Sequence, residues 1–228
     1  MTVRNWLKKW TSKHGLFPMI AAFGYNCLVY FICGKLAGSR AVSCPMTPVD
    51  RMIPLVEWTI LIYFGCYLFW IANYIMIYRE SREHAYRFFI SDLISRTVCM
   101  ICFLLIPFRM TRPEIEGNGL FSNLMRFLYQ VDEPVNLFPS IHCLVSWNCW
   151  LGIRGSRKVP IWYQRLSILM AVSVFLSTLT TKQHVLLDVA GGFLLSEISW
   201  RIAMKTEWWH YVEKCFDKIA DSIFGERG

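Results

Sequence analysis

The sequence has little charge for its length. Aspartate, glutamate, lysine and arginine together make up 18% of its 228 residues, below the roughly 25% that is usual in soluble domains. Hydrophobic residues make up 55%, and apolar runs close to the ~20 residues that cross a bilayer recur along the chain. The composition excludes an ordinary soluble domain and predicts an integral membrane protein.

Other signals are also missing. The sequence has no internal repeat and no low-complexity linker, so one membrane domain is the simplest organisation. The first apolar run lacks a small-residue cleavage site, which predicts a spanning helix instead of a cleaved leader. The nine cysteines lie mostly in apolar runs, and no CxxC pair has a histidine partner. Neither a zinc site nor a disulfide framework is indicated.

Six apolar segments predict an all-α bundle of six membrane-spanning helices. They cover residues 17–36, 52–78, 88–107, 138–153, 161–180 and 184–204. The fourth is short, and we expect its neighbours to bury it. The predicted organisation is therefore an N-terminal segment 1–16, a membrane core 17–204 and a C-terminal segment 205–228.

Both terminal segments have the pattern of interfacial helices. Residues 6–13 alternate tryptophan and leucine with lysine. Near the C-terminus, apolar residues recur at spacings of three and four, namely Trp209, Val212, Phe216, Ile219 and Ile223. Amphipathic helices of this kind lie in the plane of the membrane surface. A helix that binds a partner is the alternative.

The net charge of +8 is distributed unevenly. With the N-terminus in the cytoplasm, 15 lysines and arginines fall inside and 7 outside, as the positive-inside rule predicts. This places both termini in the cytoplasm, with the plasma membrane the expected location. It also explains the basic charge without nucleic-acid binding. The loop 108–137, His142 and the turn 180–184 then share the outer face.

His184 and Asp188 are the first candidate catalytic pair. At i and i+4 of a helix, the carboxylate can accept a hydrogen bond from one imidazole nitrogen. The other nitrogen is then free to act as base or nucleophile. A carboxylate one turn inside an apolar segment is costly unless it is paired. The structural alternative is a His–Asp pair that only stabilises a helix end.

His142 is the second candidate. Pro139 and Ser140 mark a helix start, with Ser140 as the N-cap. The amides of that first turn form an anion site, and His142 can donate a proton to a leaving alkoxide. Two apolar segments that each begin near a histidine, at the same face of the membrane, favour a catalytic role more strongly than either segment alone.

Two cations are candidates for binding phosphate. Arg112, in the outer loop, can hold phosphate oxygens through its planar guanidinium. Lys182 lies two residues before His184 and adds a second positive charge; snorkelling to the headgroups is its alternative role. Asp92 and Arg96 are spaced as a neutralising pair, whereas Glu57 has no obvious partner. Gly191 and Gly192 are expected to permit close helix packing.

These residues resemble the type-2 phosphatidic acid phosphatases, which are related to the vanadium haloperoxidases and sphingomyelin synthases. The family pattern is Lys-x6-Arg-Pro, Pro-Ser-Gly-His and Ser-Arg-x5-His-x3-Asp. This chain supplies, in the same order, Arg112, Pro113, Pro139, Ser140, His142, Ser177, His184 and Asp188. The resemblance covers the six-segment core and leaves out the two terminal segments.

Three positions depart from the pattern. Leu105 stands at the first lysine, Ile141 at the glycine and Thr178 at the third-motif arginine. Two of the three phosphate-neutralising cations are therefore missing, and Lys182 or Arg109 would have to replace them.

The resemblance implies a lipid phosphatase that acts on a phosphomonoester or diphosphate, such as a phospholipid or an isoprenoid phosphate. His184 would attack phosphorus to form a phosphohistidine, Asp188 would orient it, and His142 would protonate the leaving alcohol. Arg112, Ser140, Lys182 and Ser177 would hold the phosphoryl oxygens. No metal and no cofactor are implied. The alternative is a headgroup transferase like the sphingomyelin and inositol-phosphorylceramide synthases, and a non-catalytic lipid-binding scaffold is a third reading.

Overall fold

The structure of the chain is a computed structural model that describes residues 13–224. Over that range the chain forms nine α-helices: α1 Lys13–Ala37, α2 Pro48–Met52, α3 Ile60–Tyr78, α4 Arg82–Leu105, α5 Leu120–Val131, α6 Ile141–Ile153, α7 Ile161–Thr180, α8 Leu186–Lys205 and α9 Trp209–Phe224. Two short strands, β1 Val42–Ser43 and β2 Phe108–Arg109, pair in parallel and tie together the loops that follow α1 and α4. The predicted all-helical class is confirmed.

Four helical stretches are long and apolar enough to cross a membrane. They are Phe17–Arg40, Glu57–Tyr78, Arg82–Leu105 and Ile161–Thr180. At 1.5 Å per residue, the 13 residues of α6 span only about 20 Å of the ~30 Å hydrocarbon core. Helix α8 has 20 residues but carries four charged side chains. An integral membrane protein is therefore supported, while the count of six spans stays a prediction.

Helix α6 lies inside the bundle. It packs against α3, α7 and α8, and most of its side chains are buried. The prediction that its neighbours bury the fourth segment is confirmed. The predicted neutralising pair is also present, because Arg96 donates from Nη2 to Asp92 Oδ1 at 3.1 Å and both side chains are buried.

The loop 108–137, which the charge distribution predicts to be the outer loop, contains a helix that the sequence analysis did not predict. Helix α5 buries Met125 and Leu128 against Tyr63 at the start of α3. Glu57 accepts a hydrogen bond of 2.5 Å from Ser122 of the same helix, which supplies the partner that its sequence context did not show.

The C-terminal segment forms helix α9, which packs on the bundle. Val212 and Phe216 contact the cluster of buried residues at that end, and Arg82 of α4 pairs with Glu213 and Asp217. Its position on the inner leaflet stays a prediction. The predicted N-terminal interfacial segment lies outside the described residues as far as residue 12.

Gly192 allows α8 to approach α6 closely. A Cβ added at Gly192 would lie 2.5 Å from the Ser140 carbonyl oxygen and 3.2 Å from Cys143 Cβ. Ser140 also donates its backbone N–H to the Asp188 carbonyl oxygen at 3.0 Å. The expected close packing is confirmed at this position, and it joins the helix that carries His142 to the one that carries Asp188.

Gly192→Ala is therefore expected to destabilise the protein by roughly 1–3 kcal/mol through overpacking. The measurement is the thermal unfolding midpoint in detergent. Gly65→Ala is the matched control, since none of the described atoms beyond its own helix backbone and chain neighbours lies within 4 Å of its added Cβ. An unfolding midpoint that drops equally in both variants would contradict the packing argument.

Candidate active site

A cavity of about 410 Å³ brings several predicted site residues together. His142 at the start of α6, His184 in the turn between α7 and α8, and Arg112 of the outer loop all line it. Side chains of α1 and α3, including Tyr30, Tyr67 and Trp70, form its aromatic walls. The two imidazole rings lie on opposite sides of this space, with their centroids 6.0 Å apart and their planes inclined at 56° to each other.

His184 and Asp188 are paired, but in a different way from the prediction. Helix α8 begins at Leu186, so His184 lies before it and the two side chains do not share a helix face. Asp188 instead caps the helix: its Oδ2 accepts the backbone N–H of Val185 at 3.0 Å and lies 3.3 Å from His184 Nδ1. Since a carboxylate only accepts, the bond places the proton on Nδ1 and leaves the Nε2 lone pair available.

The turn before α8 is held by backbone bonds. The Thr178 carbonyl oxygen accepts the N–H groups of Gln183 at 2.9 Å and His184 at 3.1 Å. Lys182 has a φ of 55°, the left-handed conformation that commonly ends a helix. Thr178, which stands at the family's arginine position, is fully buried and its hydroxyl contacts Cys143. It therefore contributes backbone anchoring and no charge.

Asp50 of the short helix α2, which the sequence analysis did not single out, fastens this turn. Its Oδ1 accepts the backbone N–H of Leu186 at 2.8 Å, and its Oδ2 accepts from Thr47. Burial raises the pKa of Asp50, but these hydrogen bonds and the charge of Lys182 outweigh burial and hold the pKa below its ordinary value of 3.8. The folded state therefore favours the ionised carboxylate.

Asp50→Asn should lower stability near neutral pH by about 1 kcal/mol, because the charge-assisted bonds are weakened. Since the folded pKa is depressed, the stabilisation is present above pH 3.8 and is lost as the pH falls through the lower folded value. The measurement is the difference in unfolding midpoint between wild type and variant from pH 7 to pH 3. Glu114→Gln removes an exposed outer-loop carboxylate and should show a much smaller difference. If the difference in unfolding midpoint between wild type and Asp50→Asn were the same at pH 3 as at pH 7, the stabilising role of the ionised Asp50 carboxylate would be refuted.

His142 lies among aromatic rings of α3. The Tyr63 ring centroid is 4.5 Å away and that of Trp70 is 5.5 Å away, and the Tyr67 hydroxyl lies 3.4 Å from His142 Nε2. These contacts restrict the imidazole orientation and shield it from water. The ring is thereby held facing His184.

Hydrogen bonds and an aromatic contact fix the position of the Arg112 guanidinium. It donates from Nη1 to the Asp132 carbonyl oxygen at 2.6 Å and from Nη2 to Gln183 Oε1, and it stacks over the Tyr129 ring at 4.8 Å. Burial lowers the pKa of Arg112, an effect that the charge of Asp132 opposes. Arg112 Nε and Gln183 Nε2 have no hydrogen-bond partner among the described residues. Both residues line the cavity, so they offer two N–H donors for an anion.

The other predicted phosphate ligands lie elsewhere. Ser140 caps α6 through a bond of 3.4 Å from the Cys143 N–H, and Ser177 donates to the Val174 carbonyl oxygen at 2.9 Å. Lys182 donates to the Ile53 carbonyl oxygen, and Arg109 donates to that of Gly38 at 3.1 Å. Within residues 13–224 none of these four lines the cavity. Their role as phosphate ligands stays a prediction that this geometry does not support.

Two carboxylates that the sequence analysis missed line the cavity. Asp132 accepts hydrogen bonds from the Tyr30 and Tyr63 hydroxyls, and Glu133 lies beside it. Neither belongs to a local motif, and both enter the site through the fold of the outer loop. Among the described residues that line the cavity, Arg112 is the one lysine or arginine. Asp132 and Glu133 are the two acidic residues that line it.

Comparison with known protein families assigns the chain to a superfamily. The family model described as the PAP2 superfamily matches residues 46–202, more than half of the chain. The protein belongs to this superfamily, to which the type-2 phosphatidic acid phosphatases belong, and the resemblance seen in the motifs is confirmed. It is thus a membrane protein of the phosphatase and phosphotransferase type. No curated protein and no solved structure gives a significant match.

Proposed function

We propose that this protein is an integral-membrane enzyme that cleaves a lipid phosphate ester through a phosphohistidine at His184. The observation that carries the proposal is the single cavity in which the His184–Asp188 pair faces His142 across 6.0 Å. An outer-face location, as the charge distribution predicts, would give the site access to lipids of the extracytoplasmic leaflet.

In the first step, the Nε2 lone pair of His184 attacks phosphorus and the bond to the lipid alcohol breaks. Asp188 stabilises the imidazolium that forms, and His142 donates its proton to the leaving alkoxide. Arg112 and Gln183 donate to the phosphoryl oxygens, whose charge increases in the transition state.

In the second step, an acceptor hydroxyl attacks the phosphohistidine and the P–N bond breaks. Neutral His142 takes the proton of that hydroxyl and so returns to its starting state. If water is the acceptor the reaction is hydrolysis, and if a lipid alcohol is the acceptor the reaction is transfer of the phosphorylated headgroup.

The charges in the cavity favour transfer from a phosphodiester. A phosphomonoester carries about −1.5 to −2 at neutral pH, whereas a diester carries a single negative charge. The described part of the cavity offers one cation, Arg112, against Asp132 and Glu133. Like charges at a site disfavour a doubly charged ligand. Hydrolysis of a phosphomonoester or diphosphate is the second candidate, and the three motif residues His142, His184 and Asp188 support both.

The test is an assay of purified protein in detergent with EDTA and three donors: phosphatidate, farnesyl diphosphate and a phosphatidyl diester offered with a diacylglycerol whose acyl chains differ in length from those of the donor. Products are separated by thin-layer chromatography and identified by mass spectrometry. We expect transfer of the diester headgroup to the added diacylglycerol, which gives a phosphatidyl diester with the acyl chains of the acceptor. Release of inorganic phosphate from the other donors, without transfer, would establish the phosphatase instead. No turnover of any donor, by protein that binds them, would overturn the enzymatic proposal and favour a lipid-binding scaffold.

A further inference from the structure

A second cavity of about 400 Å³ continues from the candidate active site into the membrane region. The two cavities share the side chains of Phe23, Asn26, Tyr67 and Trp70. The second one runs between α1 and α3, where Ile20 and Ile71 are exposed on the surface of the helix bundle. The shape is a groove that leads from the histidines to the apolar surface of the bundle.

One charged side chain lines this apolar groove. Arg96 of α4 is 3% exposed, and only its Nη2 is used, in the bond to Asp92. Its Nε and Nη1 have no hydrogen-bond partner within residues 13–224. The Asn26 Oδ1 is also buried and lacks a partner among those residues. Asn26 lines both cavities, so the two polar groups mark the part of the groove next to the catalytic site.

A buried polar group that has no hydrogen-bond partner destabilises the folded protein. An unsatisfied buried polar group costs about 1–3 kcal/mol, and more when it is charged. Asp92 already neutralises the charge of Arg96, so a second anion is not required. The unpartnered groups of Arg96 are directional N–H donors that fit a neutral acceptor oxygen, whereas the Asn26 Oδ1 can only accept a hydrogen bond.

We propose that the Nε and Nη1 groups of Arg96 form a subsite for the acyl carbonyl group of the lipid substrate. The inference rests on the proposed function, which places the lipid phosphate beside His184 and His142. In an acyl lipid the carbonyl is separated from phosphorus by a few bonds, and the acyl chains continue beyond it. With the phosphate in the first cavity, the chains follow the groove between α1 and α3 and the carbonyl passes the shared residue Asn26.

This subsite discriminates between the candidate lipid classes. An isoprenoid phosphate has only hydrocarbon beyond its phosphate groups, so it would leave the Nε and Nη1 donors of Arg96 unsatisfied. A lipid with an ester or amide carbonyl would accept a hydrogen bond from them. Sites built to hydrogen-bond a polar group reject analogues that lack it more strongly than apolar pockets reject a missing methylene. The substrate is therefore a lipid with acyl linkages.

The experiment measures lipid binding to the detergent-solubilised His184→Ala protein, in which the proposed nucleophile is absent and no turnover interferes. The probes are dioleoyl phosphatidate, its diether analogue, ceramide 1-phosphate and farnesyl phosphate. We expect the carbonyl-containing lipids to bind at least about tenfold more tightly than the diether and the isoprenoid. Tighter binding of the phosphatidate identifies an ester subsite, and tighter binding of the ceramide phosphate identifies an amide subsite.

Two further variants locate the effect. Arg96→Lys keeps a cation beside Asp92 but removes the planar set of donors, so it should reduce the ester-to-ether ratio of affinities to within about twofold. Ile75→Val changes an apolar residue of the same groove and should leave the ratio as it is in the parent protein.

The outcomes separate this inference from the proposed function. Equal affinity for ester and ether lipids, or an ester preference that survives Arg96→Lys, would overturn the carbonyl subsite even if the wild type turns over lipids. An ester preference that Arg96→Lys abolishes and Ile75→Val leaves intact would support the subsite even if the wild type shows no turnover.

Discussion

His184→Ala is expected to reduce lipid turnover at least about 10⁴-fold, because it removes the atom that attacks phosphorus. Asp188 would lose its imidazole partner but would still cap α8 through the Val185 N–H, so the fold should be retained. The measurement is turnover of the preferred donor by wild type and variant at equal protein concentration, with the thermal unfolding midpoint recorded for both.

The matched control for this substitution is His210→Ala. His210 lies on α9 with its side chain half exposed, and it does not line the cavity. Its replacement should leave turnover within about twofold of wild type. Retention of more than a few per cent of wild-type turnover by a well-folded His184→Ala protein would exclude His184 as the nucleophile.

His142→Ala is expected to reduce turnover of lipid donors roughly 10²–10⁴-fold, the range of general acid–base catalysis. The loss should depend on the leaving group. A nitrophenyl group leaves without protonation, so the first step with a nitrophenyl phosphodiester needs little help from His142. The second step still needs a base, so the phosphorylated His184 should accumulate in this variant.

The measurement combines a burst of nitrophenol with mass spectrometry of the phosphorylated protein. The burst should match the amount of enzyme, and the adduct should be labile to acid, as a phosphorus–nitrogen bond is. His142→Ala and His184→Ala together should give neither burst nor adduct. Equal losses with alkyl and nitrophenyl donors would show that His142 acts by positioning and not by proton transfer.

Features that depend on neighbours along the chain could be predicted well from the sequence. The apolar runs of α1, α3, α4 and α7 indicate membrane helices because their length and composition match the hydrocarbon thickness. The spacing of Asp92 and Arg96 predicts their ion pair, which is present at 3.1 Å. The short α5 was missed because a polar, glycine-rich stretch precedes it and its apolar stripe is only three turns long.

Features that depend on side-chain direction could not be predicted in the same way. Lys182 lies two residues from His184 in sequence, yet its left-handed backbone conformation and its bond to the Ile53 carbonyl carry it away from the cavity. Gln183 is not part of any recognised motif, yet it lines the cavity and accepts from Arg112. Adjacent positions in a turn point in different directions, so proximity in sequence does not decide which residue meets a ligand.

The sequence by itself determined that this is a helical membrane protein of the PAP2 superfamily with a histidine–aspartate pair and a second histidine. Those conclusions depend on composition, hydrophobic run length and motif spacing, which are local properties. Only the tertiary structure decided that the two imidazoles face each other, that Arg112 is joined in the cavity by Asp132 and Glu133, and that Arg96 reaches a groove shared with Asn26. The charges in the cavity and the polar groups of the groove come from residues that are far apart in the chain. Packing of the helices brings them together.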